Sequence, residues 1–391
     1  MMSSSSSEQC DVISLPEDQV FEMLTRVSLD DLAACRQVST RWRRLTYEPA
    51  FAPLHCRRAD AVSGYLVQTV ARNRYHATFV SSMHPSPPPA DLVSLDFLPS
   101  PHVRVEAVSP HRGLVCCVDA DADAATPRKP ASSYYVCKPA TRQWRALPNP
   151  RLRYRTAATA MLARPGGGGG GAADFKIVRF SVPTLRDCLR CEVFDSRGMA
   201  WRRSADVAVW PESLVEAAPA VRAHGAMHWL RWPDRLSGGA EDIFAFDVKT
   251  ETWRLIGLPP EATTEKRWAR KKVAAVEGKL CLVVVVDEEV EVWVLAGYRQ
   301  ERWEKKMTAS LTRLAMEEGN SFILRDLYAS DVAFFNSVYR VLWYDFLRGK
   351  IAEAPLRHKC IQQVFKFESD LVPFEEIDES PIQILNGFAS P

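Results

Sequence analysis

The stretch IFAFDVKTETW, residues 243–253, decides the fold. A short apolar run ends at Asp247, polar turn residues follow, and Trp253 arrives six positions after the aspartate. An aspartate that closes a strand can accept hydrogen bonds from the backbone of the turn behind it. A tryptophan on the outgoing strand brings a large apolar area to bury. The same unit recurs in YYVCKPATRQW (134–144), CEVFDSRGMAW (191–201) and VLWYDFLRGKI (341–351). There Lys138 leads to Trp144, Asp195 to Trp201 and Asp345 to Ile351, while VEVWVLAGYRQERW (290–303) reaches Trp303 through a longer turn. These end residues follow one another at intervals of about fifty residues, and a β-rich repeat of that period means four-stranded propeller blades. Gly198 and Gly349 are placed to supply the left-handed residue of such turns. The tryptophans are expected in the core. Gly113-Leu-Val-Cys-Cys, Gly225-Ala-Met-His-Trp and Gly278-Lys-Leu-Cys-Leu each read as a strand entered through a tight turn.

Outward from the repeat, the chain changes character. Residues 1–11 are serine-rich and read as disordered. From Leu15 to Leu54 the apolar spacing is three and four, which means helices. Leu15-Pro16 opens the first, since proline suits a first helical turn, and Val20, Leu24 and Val27 share a face. Ser28 with Asp31 has capping-box spacing for a second helix carrying Leu32, Cys35 and Val38 inward. A third short helix carries Trp42 and Leu45. Beyond Ala61 short β runs take over. Pro85–Pro89 and the glycine run 166–171 read as loops, and 376–391 as a flexible tail.

Composition narrows the function classes. The 391 residues are 47% apolar and 25% charged, with formal net charge +2. That is ample for a core, and no global field points to nucleic acid or a membrane. The polar start MMSSSSSEQC lacks the apolar stretch of a secretory signal, and the apolar run near Val283–Val286 is too short to span a bilayer. A soluble intracellular protein, nuclear or cytoplasmic, is the expectation. Cys35, Cys116, Cys117 and Cys281 sit in apolar segments as small hydrophobes, with no disulfide framework.

Catalytic and metal motifs do not assemble. Cys188 and Cys191 with His224 and His228 fail as a zinc set if their segments are strands: residues three apart face opposite sides, and residues four apart stand about 13 Å from each other. No Gly-x-Ser-x-Gly elbow or phosphate loop is present. Asp195 has Gly198 and Trp201 one position too late for the hydrolytic propeller box. No cofactor is expected. The cluster Lys266-Arg-Trp-Ala-Arg-Lys-Lys272 reads as a solvated inter-blade loop before it reads as a nuclear import signal or a patch for an anionic partner, with Glu261 and Glu265 beside it.

LPEDQVFEMLTRVSLDDLAACRQVSTRWRRLTYEPAF, residues 15–51, resembles an F-box. Leu15-Pro16, Met23-Leu24, Asp31-Leu32, Val38, Trp42, Leu45, Pro49 and Phe51 carry the likeness; a second Leu-Pro is replaced by Val27-Ser28. Residues 62–375 resemble the F-box-associated and kelch-like propellers abundant in plants, through LVSLDFLP, GLVCC, YYVCKPATRQWRALP and IFAFDVKTETWRLIGLPP. The kelch Gly-Gly doublet is absent, and Lys138 stands where Asn or Asp is usual. The expected fold is therefore mainly β, a three-helix F-box at 12–58 followed by a propeller of six to seven blades. The resemblance implies a non-catalytic subunit of a Skp–cullin–F-box ubiquitin ligase, with the F-box docked on a Skp-type adaptor and through it on cullin, and an unknown protein substrate on the propeller. A scaffold or decoy without turnover is the alternative, and a propeller enzyme ranks behind both. The implied adaptor contacts are Leu15, Pro16, Leu24, Val27, Leu32, Cys35, Val38 and Trp42, more apolar surface than one miniature core can hide.

Overall fold

The computed structural model describes residues 15–27, 35, 38–46, 48, 51–58, 61–72, 74–81, 93–100, 103–109, 112–119, 133–164, 174–183, 188–210, 213–214, 218–232, 241–263, 269–319, 321–337, 340–354, 356–358 and 360–370. The chain divides into two compact units, Met1–Ala61 and Val62–Pro391.

The first unit contains α1 (Glu17–Leu24), α2 (Thr40–Thr46) and α3 (Phe51–Arg58). Pro16 precedes α1 with extended backbone and gives its carbonyl to Val20 N. Ser39 caps α2, its hydroxyl accepting from Trp42 N at 3.1 Å, which satisfies one of the orphan donors of the first turn. The helix expected after Ser28 lies mostly outside the described residues; Cys35 and Val38 are helical.

The second unit is a ring of six sheets. Blade 1 is β3–β6 (Val103–Ser109, Leu114–Asp119, Tyr134–Lys138, Gln143–Leu147) and blade 2 is β7–β10 (Arg155–Arg164, Asp174–Val182, Arg190–Asp195, Ala200–Arg203). Blade 3 is β11–β14 (Val221–Ala223, Ala226–Arg231, Asp242–Asp247, Thr252–Gly257) and blade 4 is β15–β18 (Arg270–Val276, Lys279–Val286, Glu289–Gly297, Arg302–Ser310). Blade 5 is β19–β22 (Ile323–Leu327, Val332–Asn336, Val341–Asp345, Lys350–Ala354). The closing blade joins β1 (Ala61–Ala71) and β2 (Arg74–Ser81) to the last strand, β23 (Ile361–Asp370), in the order β2-β1-β23. The sequence allowed six or seven blades; the ring has six, and both ends of the propeller segment supply the last. Two short helices, α4 (Pro260–Thr263) and α5 (Thr312–Glu318), sit on connections.

Six apolar cores seal the ring, each shared by two neighbouring sheets. One joins Val136 and Leu147 of blade 1 to Phe175, Ile177 and Trp201 of blade 2. Another joins Leu66 of β1 and Phe367 of β23 to Val105 and Cys117 of blade 1. Gln68 adds a polar tie there, accepting from Val105 N at 2.6 Å and donating to Gln363 at 2.7 Å.

The hairpin chemistry follows the repeat with two changes. Asp195, Asp247 and Asp345 each accept from turn amides two or three residues on. The residue two before each outer-strand marker is left-handed: Arg142, Met199, Glu251, Glu301 and Gly349. Met199, not Gly198, therefore takes the strained position in its turn. Trp201 is core, but Trp144 and Trp253 remain 41% and 37% exposed. They lie on outermost strands, which have a neighbour on one side only, opposite Cys137 and Phe246. Trp201 and Trp303 instead latch blades together, donating to Pro148 O at 2.7 Å and Gly257 O at 2.8 Å of the preceding blade.

Candidate functional site

The helical unit builds its own small core from Val20, Leu24, Leu45 and Phe51, with Phe21, Val27, Cys35 and Trp42 packed around it. The Phe21 and Phe51 rings meet edge to face at 5.6 Å, and buried His55 stacks on Phe51 and bonds Val27 O at 2.8 Å. Charges tie the helices together. Glu17 on α1 pairs with Arg41 and Arg44 on α2, and Glu22 pairs with Arg26 and with Arg58 on α3. Hydrogen bonds from Arg26 and Arg58 hold the Glu22 carboxyl below its usual range. These pairs are exposed, so they orient helices more than they stabilise them.

The eight residues implied as adaptor contacts divide. Leu24 is 1% exposed and belongs to the unit's core. Val27, Cys35 and Trp42 are half-buried against that core. Leu15, Pro16 and Val38 are exposed, Val38 to 64%. Leu32 lies outside the described residues. Sequence reasoning passed over Met23 as a contact, yet it is 51% exposed beside buried Leu24. The signal was present in the helical period, since Met23 lies off the Val20–Leu24 stripe.

The ring has two unlike faces. One carries the first and last hairpin turns of the four-stranded blades, including His224-Gly225 and Glu277-Gly278, where both residues are left-handed as in a type I′ hairpin. The other carries the connections between blades, such as 148–154. The strand order brings the chain into β1, and out of β23, on the turn face.

Two polar clusters of the ring take definite places in the structure. The cluster ending at Lys272 is not a loop throughout, because Arg270, Lys271 and Lys272 open β15. Lys271 pairs with Glu241 at 2.5 Å, and burial pulls the Lys272 ammonium below its usual range. His224 and His228 face an aromatic partner. His224 stacks on Tyr298 at 4.6 Å, and His228 bonds Tyr298 Oη at 2.9 Å and Val221 O at 3.1 Å. Burial pushes His228 down to about 4. Among the described residues no group of three His, Cys, Asp or Glu side chains is placed to hold a metal ion.

Residues 66–346 match the family model of the F-box associated beta propeller domain. The chain belongs to that family. This F-box protein is 31% identical over 170 residues to F-box protein At5g41720 of Arabidopsis thaliana, covering 43% of this chain and 86% of that one. It is 26% identical to F-box protein At5g49610, over 76% and 79% of the two chains, and 24% identical to F-box protein DOR over 93% of each, both from the same plant. An F-box joined to an F-box-associated propeller is a non-catalytic adaptor of the ubiquitin-ligase type.

Proposed function

We propose that this F-box protein docks by its helical unit on a Skp-type adaptor, and through it on a cullin. In that reading the ring holds a protein substrate for ubiquitin transfer by other subunits. The observation that carries the reading is the outward apolar surface of a unit whose own core is already filled. Leu15, Met23 and Val38 stand 38%, 51% and 64% exposed, beside the half-buried Val27, Cys35 and Trp42. Covering one half-exposed side chain of this kind gains roughly 1 kcal/mol, so docking needs several of them together to overcome the cost of association. Leu24 contributes by holding α1 in place, and Leu32 is kept among the proposed contacts.

The test is co-purification with a Skp-type adaptor. Exchanging Met23 and Val38 together for Glu is expected to abolish capture while the unit's helical signal persists. Undiminished capture by a folded double variant would mean that the adaptor sits elsewhere. Accumulation of a ring-bound partner on proteasome inhibition distinguishes a degradative receptor from a scaffold.

A further inference from the structure

Between blades 1 and 2 the chain crosses the loop face at 148–154, and two buried charges of blade 2 hold it there. Arg179 on β8 and Glu192 on β9 are cross-strand partners, 4% and 1% exposed, in contact at 2.9 Å. Arg179 also donates to Leu152 O at 3.0 Å, to Tyr154 O, and to Thr156 Oγ1 at 2.9 Å. The other carboxylate oxygen of Glu192 accepts from Arg151 N and Leu152 N, both at 3.0 Å. An ion pair this deep loses about as much in desolvation as it returns. Its distinctive product is a loop whose backbone is fixed from below.

The fixed loop presents charge of one sign. Arg151, Arg153, Tyr154 and Arg155 are all exposed. Among the described residues neither Arg151 nor Arg153 has an acidic side chain as partner. Arg190, which interacts electrostatically with Tyr154 of the loop, shares the single carboxylate of Asp206 with Arg203, so that cluster is also cationic. The guanidinium is a planar fork matched to carboxylate geometry, and a rigid loop loses less entropy on binding than a mobile one.

We infer that loop 151–155 is a docking site for an acidic segment of a protein partner, with carboxylates on Arg151 and Arg153 and its chain against the Tyr154 ring. This deepens the proposed function and rests on its premise that the ring holds a protein. The patch is local, on a chain with 50 basic and 48 acidic residues. A nucleic-acid track would need basic groups spread along many phosphates, with several stacking aromatics.

The test uses the full chain and a fluorescein-labelled peptide of alternating Glu and Gly around one Leu, with a Gln-for-Glu twin, read by anisotropy. The Glu peptide is expected to bind and the twin not. R151Q with R153Q should weaken binding by roughly tenfold or more. K249Q with K350Q, which removes equal charge from the turn face, should leave it unchanged. R179M with E192L keeps every surface arginine but frees the loop, and should weaken binding several-fold while the ring still unfolds cooperatively. Equal binding of the twin, equal loss in the turn-face variant, or tighter binding of a single-stranded oligonucleotide overturns the inference. Adaptor capture is read on the same preparations. Its loss with peptide binding intact counts against the adaptor reading alone, and the reverse counts against the loop alone.

Discussion

Met23 and Leu24 are adjacent in α1 and face opposite ways, so truncating each to alanine separates docking from folding. Leu24 is 1% exposed among Val20, Leu45 and Phe51. Leu24→Ala loses both transfer free energy and a filled space, about 2–5 kcal/mol. A core this small seldom supplies more than about 3–5 kcal/mol in all, so the variant unit stands near or past its unfolding midpoint. Met23→Ala removes an outward side chain, and a surface change of that kind stays within about 0.5 kcal/mol. Hydrogen exchange read by mass spectrometry resolves peptides from 15–27 and 38–58, with ring peptides as the internal reference. Leu24→Ala should speed exchange in the helical peptides by roughly thirtyfold or more, the factor that 2 kcal/mol gives. Met23→Ala should leave exchange within about twofold of the parent and still reduce adaptor capture. Equal acceleration in the two variants, or none in Leu24→Ala, would refute the inside-and-outside assignment of α1.

Other outcomes follow from the ring. Arg179→Met alone strands the buried Glu192 carboxylate and should cost about 3–5 kcal/mol in urea unfolding, whereas Arg179→Met with Glu192→Leu should cost far less than the sum of the singles; strict additivity would contradict the coupling. His228 is held neutral by burial, at about 4 against an ordinary 6.5, so between those values the unfolded chain binds the extra proton. Its contribution is complete above pH 6.5 and drains away towards pH 4, on the order of 3 kcal/mol. His228→Gln should flatten that part of the stability profile; an unchanged slope refutes the assignment. A Cβ on Gly113 would stand 2.3 Å from the Ser369 side chain of the closing strand, at φ +59, whereas Gly225 has open space and only its φ of +81 to oppose a side chain. Gly113→Ala should therefore lower the melting temperature well beyond Gly225→Ala, and equal shifts would place the closing strand elsewhere.

What was legible in the sequence was local. The Asp-to-Trp spacing encodes a turn whose hydrogen bonds lie within three residues, so one strand end reports it without knowledge of the rest. Burial of the tryptophan on the next strand is decided by the adjoining blade. Trp201 finds Tyr134 and Pro148 O across that gap, while Trp144 and Trp253 stay partly open. Met199 taking the left-handed site beside Gly198 is equally invisible, since composition favours the glycine and the hairpin register chooses its neighbour. In the helical unit an apolar stripe marks everything that avoids water, whether it meets its own core or another chain. Leu24 and Val38 read alike in the sequence and differ in the fold. The Arg179–Glu192 pedestal had no signal at all, because its two members are common charged residues until β8 and β9 set them opposite each other.

Closure of the ring explains why its two faces can diverge on one chain. Each blade must match its neighbours along a shared core, and the tight turns of the outer hairpins hold the strand register, as the left-handed residues at five of them indicate. The closing blade couples the two ends of the propeller segment through Leu66 and Phe367 in one core, and Tyr65 and Val364 in the next. It therefore ties the first strands of the propeller segment to its last. Within the 148–154 connection Pro148 O joins that packing through Trp201, while residues 151–154 lie outside the strand ladders. A change in one of them alters what the loop face presents without reopening the ring, provided its backbone hydrogen bonds are met. At 148–154 they are met by Arg179 and Glu192 from beneath, which leaves Arg151, Arg153 and Tyr154 free to be chosen for a partner instead of for the fold.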